Sequence, residues 1–194
     1  MLEKSLVYPI DKKMDSAAII VSVVEAFCKK VGTAKKDALR LHLLTEEVLG
    51  LLNAIVYVED GKFFIEKEGN EYRIQVSAVA DIDSEKKQAL VESSSDGKNG
   101  SYQGVSGKIF SVVDSLFTKE GYGAMALAAI DRQMYGNTLP VWSLAQYYEE
   151  TKENKEEWDG LERSILLKIA DDVLVSTRGE SVQITVVKSF IKKN

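Results

Sequence analysis

The segment LLTEEVL, residues 43–49, lies within a long helical pattern that leads into two strand-like runs. Apolar residues occur on nearly all sides of this pattern, which predicts a buried helix from about residue 35 to residue 57. A strand is predicted over residues 62–67, after Asp60-Gly61, and the alternating run at residues 72–79 predicts a second strand, joined to the first by a turn at residues 68–70. This central part of the chain therefore predicts an antiparallel hairpin next to a buried helix.

The two ends of the chain extend the same pattern. Residues 5–9 predict a short strand that Pro9 ends, and a helix follows over about 16–31 before the stop signal Gly32. Near the C-terminus, a helix over about 160–170 precedes a second hairpin formed by residues 172–178 and 181–189. This order predicts a two-layer α/β sandwich, with a mixed, mainly antiparallel sheet and helices on one face.

The region from about residue 84 to residue 159 has a different character. It contains the polar, glycine-rich run SSSDGKNG at residues 93–100, which indicates a loop. Helical patterns follow over about 105–118, 123–135 and 141–150, the last of them directly after Pro140. We therefore expect residues 1–194 to form one domain that carries a helical insertion over about 84–159.

Composition excludes several classes of function. The net charge of −5 argues against nucleic-acid binding, which needs concentrated lysine and arginine. No run approaches the roughly 20 apolar residues that span a bilayer, and the first residues do not resemble a signal peptide, so we expect no membrane and a cytoplasmic location. Cys28 is the only cysteine and His42 the only histidine. We expect Cys28 to be a buried thiol and His42 a structural residue, and we predict no metal site.

The order of elements resembles the fold of histidine-kinase-like ATPases, in the compact form of the anti-sigma-factor serine kinases. The resemblance covers about residues 6–83 and 160–189. It implies ATP or ADP as ligand, a helical Glu as general base, and an Asn four residues later that holds Mg²⁺. Glu46 matches the catalytic Glu, but Gly50 occupies the Asn position, and Asn53 is the nearest carboxamide on the same stripe. Mg²⁺ binding is therefore doubtful.

The resemblance also implies an adenine-binding Asp after the hairpin. Asp81 matches this residue, whereas Asp83 and Glu85 stand where the family has glycines. Side chains at these two positions would crowd a nucleotide and add negative charge near its phosphates. Asp81 is therefore the one candidate adenine-binding residue in this motif.

Two segments are candidates for phosphate binding. Gly160 matches the start of the glycine-rich lid of the family, although Glu162 replaces its next glycine. The other candidate comprises Gly104, Gly107 and Lys108, which precede a helical pattern and could hold an anion at the helix N-terminus. This second segment is not a Walker A loop, because no Ser or Thr follows the Lys.

Three functional hypotheses follow from the partial match. The first is a regulatory module that binds a protein partner, as anti-sigma factors do, with catalysis and nucleotide binding weakened or lost. The second is an active ATP-dependent kinase or ATPase that uses Glu46, Asp81 and Asn53. The third is a small-molecule-binding domain that reuses the nucleotide groove. We favour the first, with no certain cofactor, and a homodimer is left open.

Overall fold

The computed structural model describes residues 1–10, 17–55, 57–81, 108–109, 112–113, 141–151, 164–178 and 181–190. Seven strands and four helices can be delimited within these ranges. The strands are β1 (Leu2–Lys4), β2 (Tyr8–Ile10), β3 (Tyr57–Glu68), β4 (Glu71–Asp81), β5 (Val141–Ser143), β6 (Asp172–Arg178) and β7 (Ser181–Ser189). The helices are α1 (Ala17–Lys30), α2 (Lys35–Ile55), α3 (Leu144–Thr151) and α4 (Ile165–Ile169).

The seven strands form one sheet in the order β1-β3-β4-β7-β6-β5. Strand β2 also pairs with β3, at residues 61–63, whereas β1 pairs with residues 66–68. Every pairing among the described strands is antiparallel. The β3–β4 hairpin joins the β6–β7 hairpin through β4 and β7, with Ile74 opposite Val186. The first and last thirds of the chain therefore share a single sheet, and the predicted α/β sandwich is confirmed.

The core lies between the sheet and the helices. Alternate residues of the central strands point into it, because successive side chains of a strand point to opposite faces. The fully buried side chains from the sheet are Phe63, Ile65, Ile74, Val76, Val173, Val175, Val182, Ile184 and Val186. Leu41, Leu44, Val48 and Leu52 of α2 are also fully buried, and α1 adds Ile20 and Val24. Each such side chain contributes roughly 1.5–3 kcal/mol relative to leaving it exposed.

A row of polar side chains crosses part of the opposite face of the sheet. Gln75 on β4 donates to Glu66 on β3 at 2.9 Å and accepts from Gln183 on β7 at 2.9 Å. These three residues cross three neighbouring strands, so amide and carboxylate groups cover this part of the face. This polar row on one side and the apolar core on the other explain the period-2 pattern of the sequence.

The connection between α1 and α2 depends on one glycine. Gly32 has a φ of 69°, a left-handed conformation that side chains disfavour. The N–H of Thr33 donates to the carbonyl of Cys28 at 2.9 Å, and the N–H of Gly32 donates to that of Lys29 at 3.3 Å. This is the Schellman arrangement that ends many helices. It turns the chain at once into α2, so that the two helices pack side by side.

Three predicted boundaries in the first half of the chain were wrong. Two short strands, β1 and β2, replace the single strand expected at residues 5–9. The backbone N–H of Ser5 donates to the carbonyl of Ile65, but residues 6 and 7 do not pair with β3, so the pairing is interrupted there. Helix α2 ends at Ile55, and β3 begins at Tyr57 instead of residue 62. The register of β3 against β4 shifts between Val58 and Gly61, which breaks the alternation that would have revealed the longer strand.

The predicted helix over 141–150 was also partly wrong. Val141 and Trp142 belong to β5, which pairs with β6 at the edge of the sheet. Ser143 then begins α3, since its hydroxyl oxygen accepts from the N–H of Gln146 at 3.1 Å. Asp172 also accepts from the Ser143 hydroxyl at 2.8 Å and from the N–H of Ala145 at 3.0 Å. A carboxylate from β6, distant in sequence, therefore helps to set where α3 begins.

The remaining predicted helices lie partly or wholly outside the described residues. Residues 108–109 and 112–113 are helical, within the predicted segment 105–118, whereas 123–135 is not described. The described part of the last helix is α4, which Ser164 caps by accepting from the N–H of Leu166. Among the described helices, none combines the length and hydropathy needed to cross a bilayer.

Candidate functional site

A groove of about 540 Å³ runs between α1 and the C-terminal half of α2. Ala17, Ala18 and Val21 line it from α1, and α2 contributes the residues Glu46, Leu49, Gly50 and Asn53. The residues from α2 are three, four and seven apart, so the helix brings them to one side. We call this the Glu46 groove. The structure therefore places Glu46, Gly50 and Asn53 at the same opening.

The carboxylate of Glu46 lies close to His42, one helical turn earlier. His42 Nε2 is 3.4 Å from Glu46 Oε1, and His42 Nδ1 is 3.7 Å from Glu25 Oε1 on α1. Both carboxylates are more than half exposed, and the imidazole is less so. Protonated His42 would be attracted to both. His42 thus connects the carboxylates of two helices at one end of the groove.

Gly50 leaves open space in the wall of the groove. A Cβ atom built at this position meets no atom within 4 Å, and the backbone is ordinary helix. A side chain would therefore fit without displacing a neighbour. Among the described residues, neither packing nor backbone conformation requires a glycine here, and the position between Glu46 and Asn53 carries no side-chain oxygen.

The other candidate residues are placed less completely. Asp81 is the last residue of β4, with its backbone paired to Tyr57. The ammonium of Lys108 lies 4.0 Å from the centre of the Tyr147 ring on α3, a cation–π contact. Gly104, Gly107 and Gly160 lie outside the described residues. The structure thus brings Glu46 and Asn53 together and leaves the proposed phosphate-binding glycines undescribed.

Cys28 is buried at the end of α1, with only 2% of its surface exposed. Burial raises the pKa of its thiol, which outweighs the lowering effect of a hydrogen bond with Thr33. The expectation of a buried free thiol is confirmed. A thiol that resists ionisation is a poor nucleophile.

A second cavity, of about 690 Å³, lies at the other end of α2. Lys36 and Arg40 from the start of α2 and Lys67 from the end of β3 are among its lining residues. We call it the basic cavity. The sequence does not predict this cavity, because the residues that line it come from separate segments and no local motif joins them.

In the described part of the chain, no group of three or more His, Cys, Asp and Glu residues is arranged to hold a metal ion. No protein-family model matches this chain, and a search of curated proteins finds no significant match.

Proposed function

We propose that this chain is a regulatory module that binds a protein partner, built on a scaffold like that of the histidine-kinase-like ATPases but with nucleotide chemistry weakened or lost. The observation that carries this proposal is the Glu46 groove. Its carboxylate and its carboxamide, Glu46 and Asn53, flank a position where Gly50 supplies no ligand atom. Mg²⁺ prefers several oxygen ligands in a strict octahedral arrangement. This position is where the resemblance implies the Asn that holds Mg²⁺.

The charges of the groove also support a protein-binding module over a nucleotide-binding one. Among its described lining residues, Glu46 is the sole charged one, and it is negative. Glu25 adds a second carboxylate near the same end through its contact with His42. Both carboxylates are more than half exposed, so water screens them and their repulsion of an anion is modest. A nucleotide triphosphate without a bound cation would be disfavoured here, whereas a partner that presents apolar or basic side chains would be favoured.

Calorimetry with ATP and ADP, each with and without Mg²⁺, tests the loss of nucleotide chemistry. We expect no Mg²⁺-dependent binding by the unaltered chain. Gly50→Asn should introduce Mg²⁺-dependent binding, because open space surrounds this position, and Gly50→Ala is the matched control. Mg²⁺-dependent ATP binding by the unaltered chain that Asp81→Asn abolishes would contradict the proposal. Phosphoryl transfer that Glu46→Gln removes would also contradict it.

Protein binding needs its own test. The tagged chain would be purified from the cells that produce it, and its bound proteins identified. Ala18 and Ala26 are both exposed on α1, but the Glu46 groove includes Ala18 alone. We expect Ala18→Arg to remove a specific partner and Ala26→Arg to retain it. Equal loss with both variants, or retention with both, would show that the partner does not use this groove.

One observation favours an active ATP-binding kinase or ATPase as an alternative. Asn53 lines the same groove as Glu46, two helical turns away, and carries an oxygen that Mg²⁺ could use. In that case Asn53→Ala would abolish Mg²⁺-dependent ATP binding.

A small-molecule site is a further alternative, since about 540 Å³ falls within the range of ligand pockets and four lining residues are apolar.

A further inference from the structure

The basic cavity collects positive charge from two distant parts of the chain. Lys36 and Arg40 are one turn apart on α2, and Lys67 lies 27 positions after Arg40, on β3. Asp37 is the one carboxylate among the described residues that line the cavity. Three cations therefore face one acidic residue, in a protein whose net charge is −5. The fold has concentrated positive charge where the overall composition does not favour it.

The three cations differ in how far they are neutralised. Arg40 lies 3.2 Å from the carboxylate of Asp37, one turn earlier on the same helix. Lys67 lies 3.5 Å from Glu3 on β1, outside the residues that line the cavity. Lys36 forms no ion pair with any residue that the structure describes. One half-buried pair within α2 and one long contact to a residue outside the cavity leave net positive charge at the opening.

The base of the cavity is partly aromatic and held by hydrogen bonds. Tyr72 is 4% exposed, and its hydroxyl lies 2.9 Å from the Thr33 hydroxyl as a hydrogen bond. The Phe190 ring packs edge-on against Tyr72 with centroids 5.4 Å apart, and the N–H of Phe190 donates to the carbonyl of Asn70 at 3.0 Å. The helix connection, the β3–β4 turn and the end of β7 thus meet beneath the cations. Fixed surroundings reduce the entropy lost when a ligand is bound.

We propose that the basic cavity is a binding site for a small polyanion, a molecule that carries several phosphate or carboxylate groups. The guanidinium of Arg40 can present two parallel N–H donors to such a group, and the ammonium groups of Lys36 and Lys67 add charge from two sides. A volume of about 690 Å³ accommodates a small metabolite rather than a lone ion. The two openings share no lining residue, and along α2 their nearest members, Arg40 and Glu46, are six positions apart, about 9 Å at 1.5 Å per residue, so this site is separate from the Glu46 groove.

The test titrates the whole chain with pyrophosphate and, separately, with citrate, in the absence of divalent cations and at low salt. We expect saturable binding of at least one, weakened as salt rises. The tighter of the two identifies the group that the cavity prefers. Lys36→Gln should weaken binding by about five- to tenfold. Asp37→Asn should tighten it by about three- to tenfold, because it removes the competing carboxylate.

Lys35 provides a matched control, since it is exposed at the neighbouring position of α2 but does not line the cavity. Lys35→Gln should change the affinity by less than about twofold. Absence of binding for both pyrophosphate and citrate would overturn the proposal. Equal weakening by Lys35→Gln and Lys36→Gln would also overturn it, because that result indicates diffuse surface attraction. Circular dichroism of each variant verifies that the fold is intact.

Discussion

The two ends of α2 carry opposite kinds of opening. The Glu46 groove at the C-terminal half has apolar walls and a carboxylate, whereas the basic cavity at the N-terminal half has three cations. The residues Glu46, Gly50 and Asn53 come from one helix, so their arrangement follows from helical spacing. Lys67 reaches the basic cavity only because β3 folds back beside α2. One helix therefore supports a groove whose polar residues are aligned by local spacing, with α1 as its other wall, and a cavity whose cations come from separate elements.

This difference has a consequence for mutations. The buried side of α2 is shared by both openings, because Leu41, Leu44, Val48 and Leu52 anchor the helix on the sheet. A change on that side should affect both openings together. A change on the exposed side should affect only one of them. The following predictions use this contrast.

The largest change in stability is expected on the buried side of α2. Leu44 is fully buried, and Leu44→Ala should lower the free energy of unfolding by about 2–5 kcal/mol, because it removes apolar contacts and leaves a cavity. Leu39 on the same helix is 59% exposed, so Leu39→Ala should change stability by less than about 0.5 kcal/mol. Urea denaturation measures both. Similar losses for the two variants would mean that α2 is not anchored as described.

The two glycines of the two openings should respond in opposite directions. Gly32 lines the basic cavity and has a φ of 69°, so Gly32→Ala should destabilise the fold by about 1–2 kcal/mol. Gly50 lines the Glu46 groove within regular helix, so Gly50→Ala should stabilise the fold by about 0.5–1 kcal/mol. Thermal and urea denaturation show whether each substitution raises or lowers the free energy of unfolding. The same sign for both would contradict the assigned backbone conformations.

Cys28, near the basic cavity, should make stability sensitive to alkaline pH. Burial raises the pKa of its thiol in the folded state, so above about pH 8.5 the unfolded chain releases a proton that the folded chain retains. The unfolded state then binds fewer protons, and stability falls as pH rises, by at most about 1.4 kcal/mol per pH unit. Denaturation between pH 7 and pH 10 measures this slope. Cys28→Ala should have a shallower slope, and an unchanged slope would exclude this thiol as the cause.

The smallest effect is expected at the Glu46 groove itself. The Glu46 carboxylate is exposed and contacts His42 only at 3.4 Å, so Glu46→Gln should change the free energy of unfolding by less than about 0.5 kcal/mol. Thermal denaturation at neutral pH measures this change, with His42→Gln as the partner variant. A loss above about 1 kcal/mol would mean that Glu46 has a structural role beyond this exposed contact.

Some parts of the fold could be predicted from the sequence because their signals are local. The hairpin of β6 and β7 matches the predicted boundaries, since alternating apolar residues flank a short turn. Helix α1 was also predicted closely, because Gly32 marks its end. The start of α3 was missed, since Asp172 and the pairing of β5 with β6 act from elsewhere in the sheet. The bulge in β3 was missed because it disturbs the alternation itself.

The sequence by itself determined the α/β class, the two hairpins, the presence of helix α2, and the face on which Glu46 and Asn53 lie. Each of these depends on residues within a few positions of one another, whose spacing sets the direction of a side chain. The prediction that α2 is buried on nearly all sides was wrong, because one side of it is exposed, with Leu39 at 59%. Tertiary structure alone decided the order of the strands within the sheet, that His42 contacts carboxylates on two helices, and that Lys67 joins Lys36 and Arg40. These contacts depend on how separate elements pack, and packing reflects the sum of many weak interactions across the whole core.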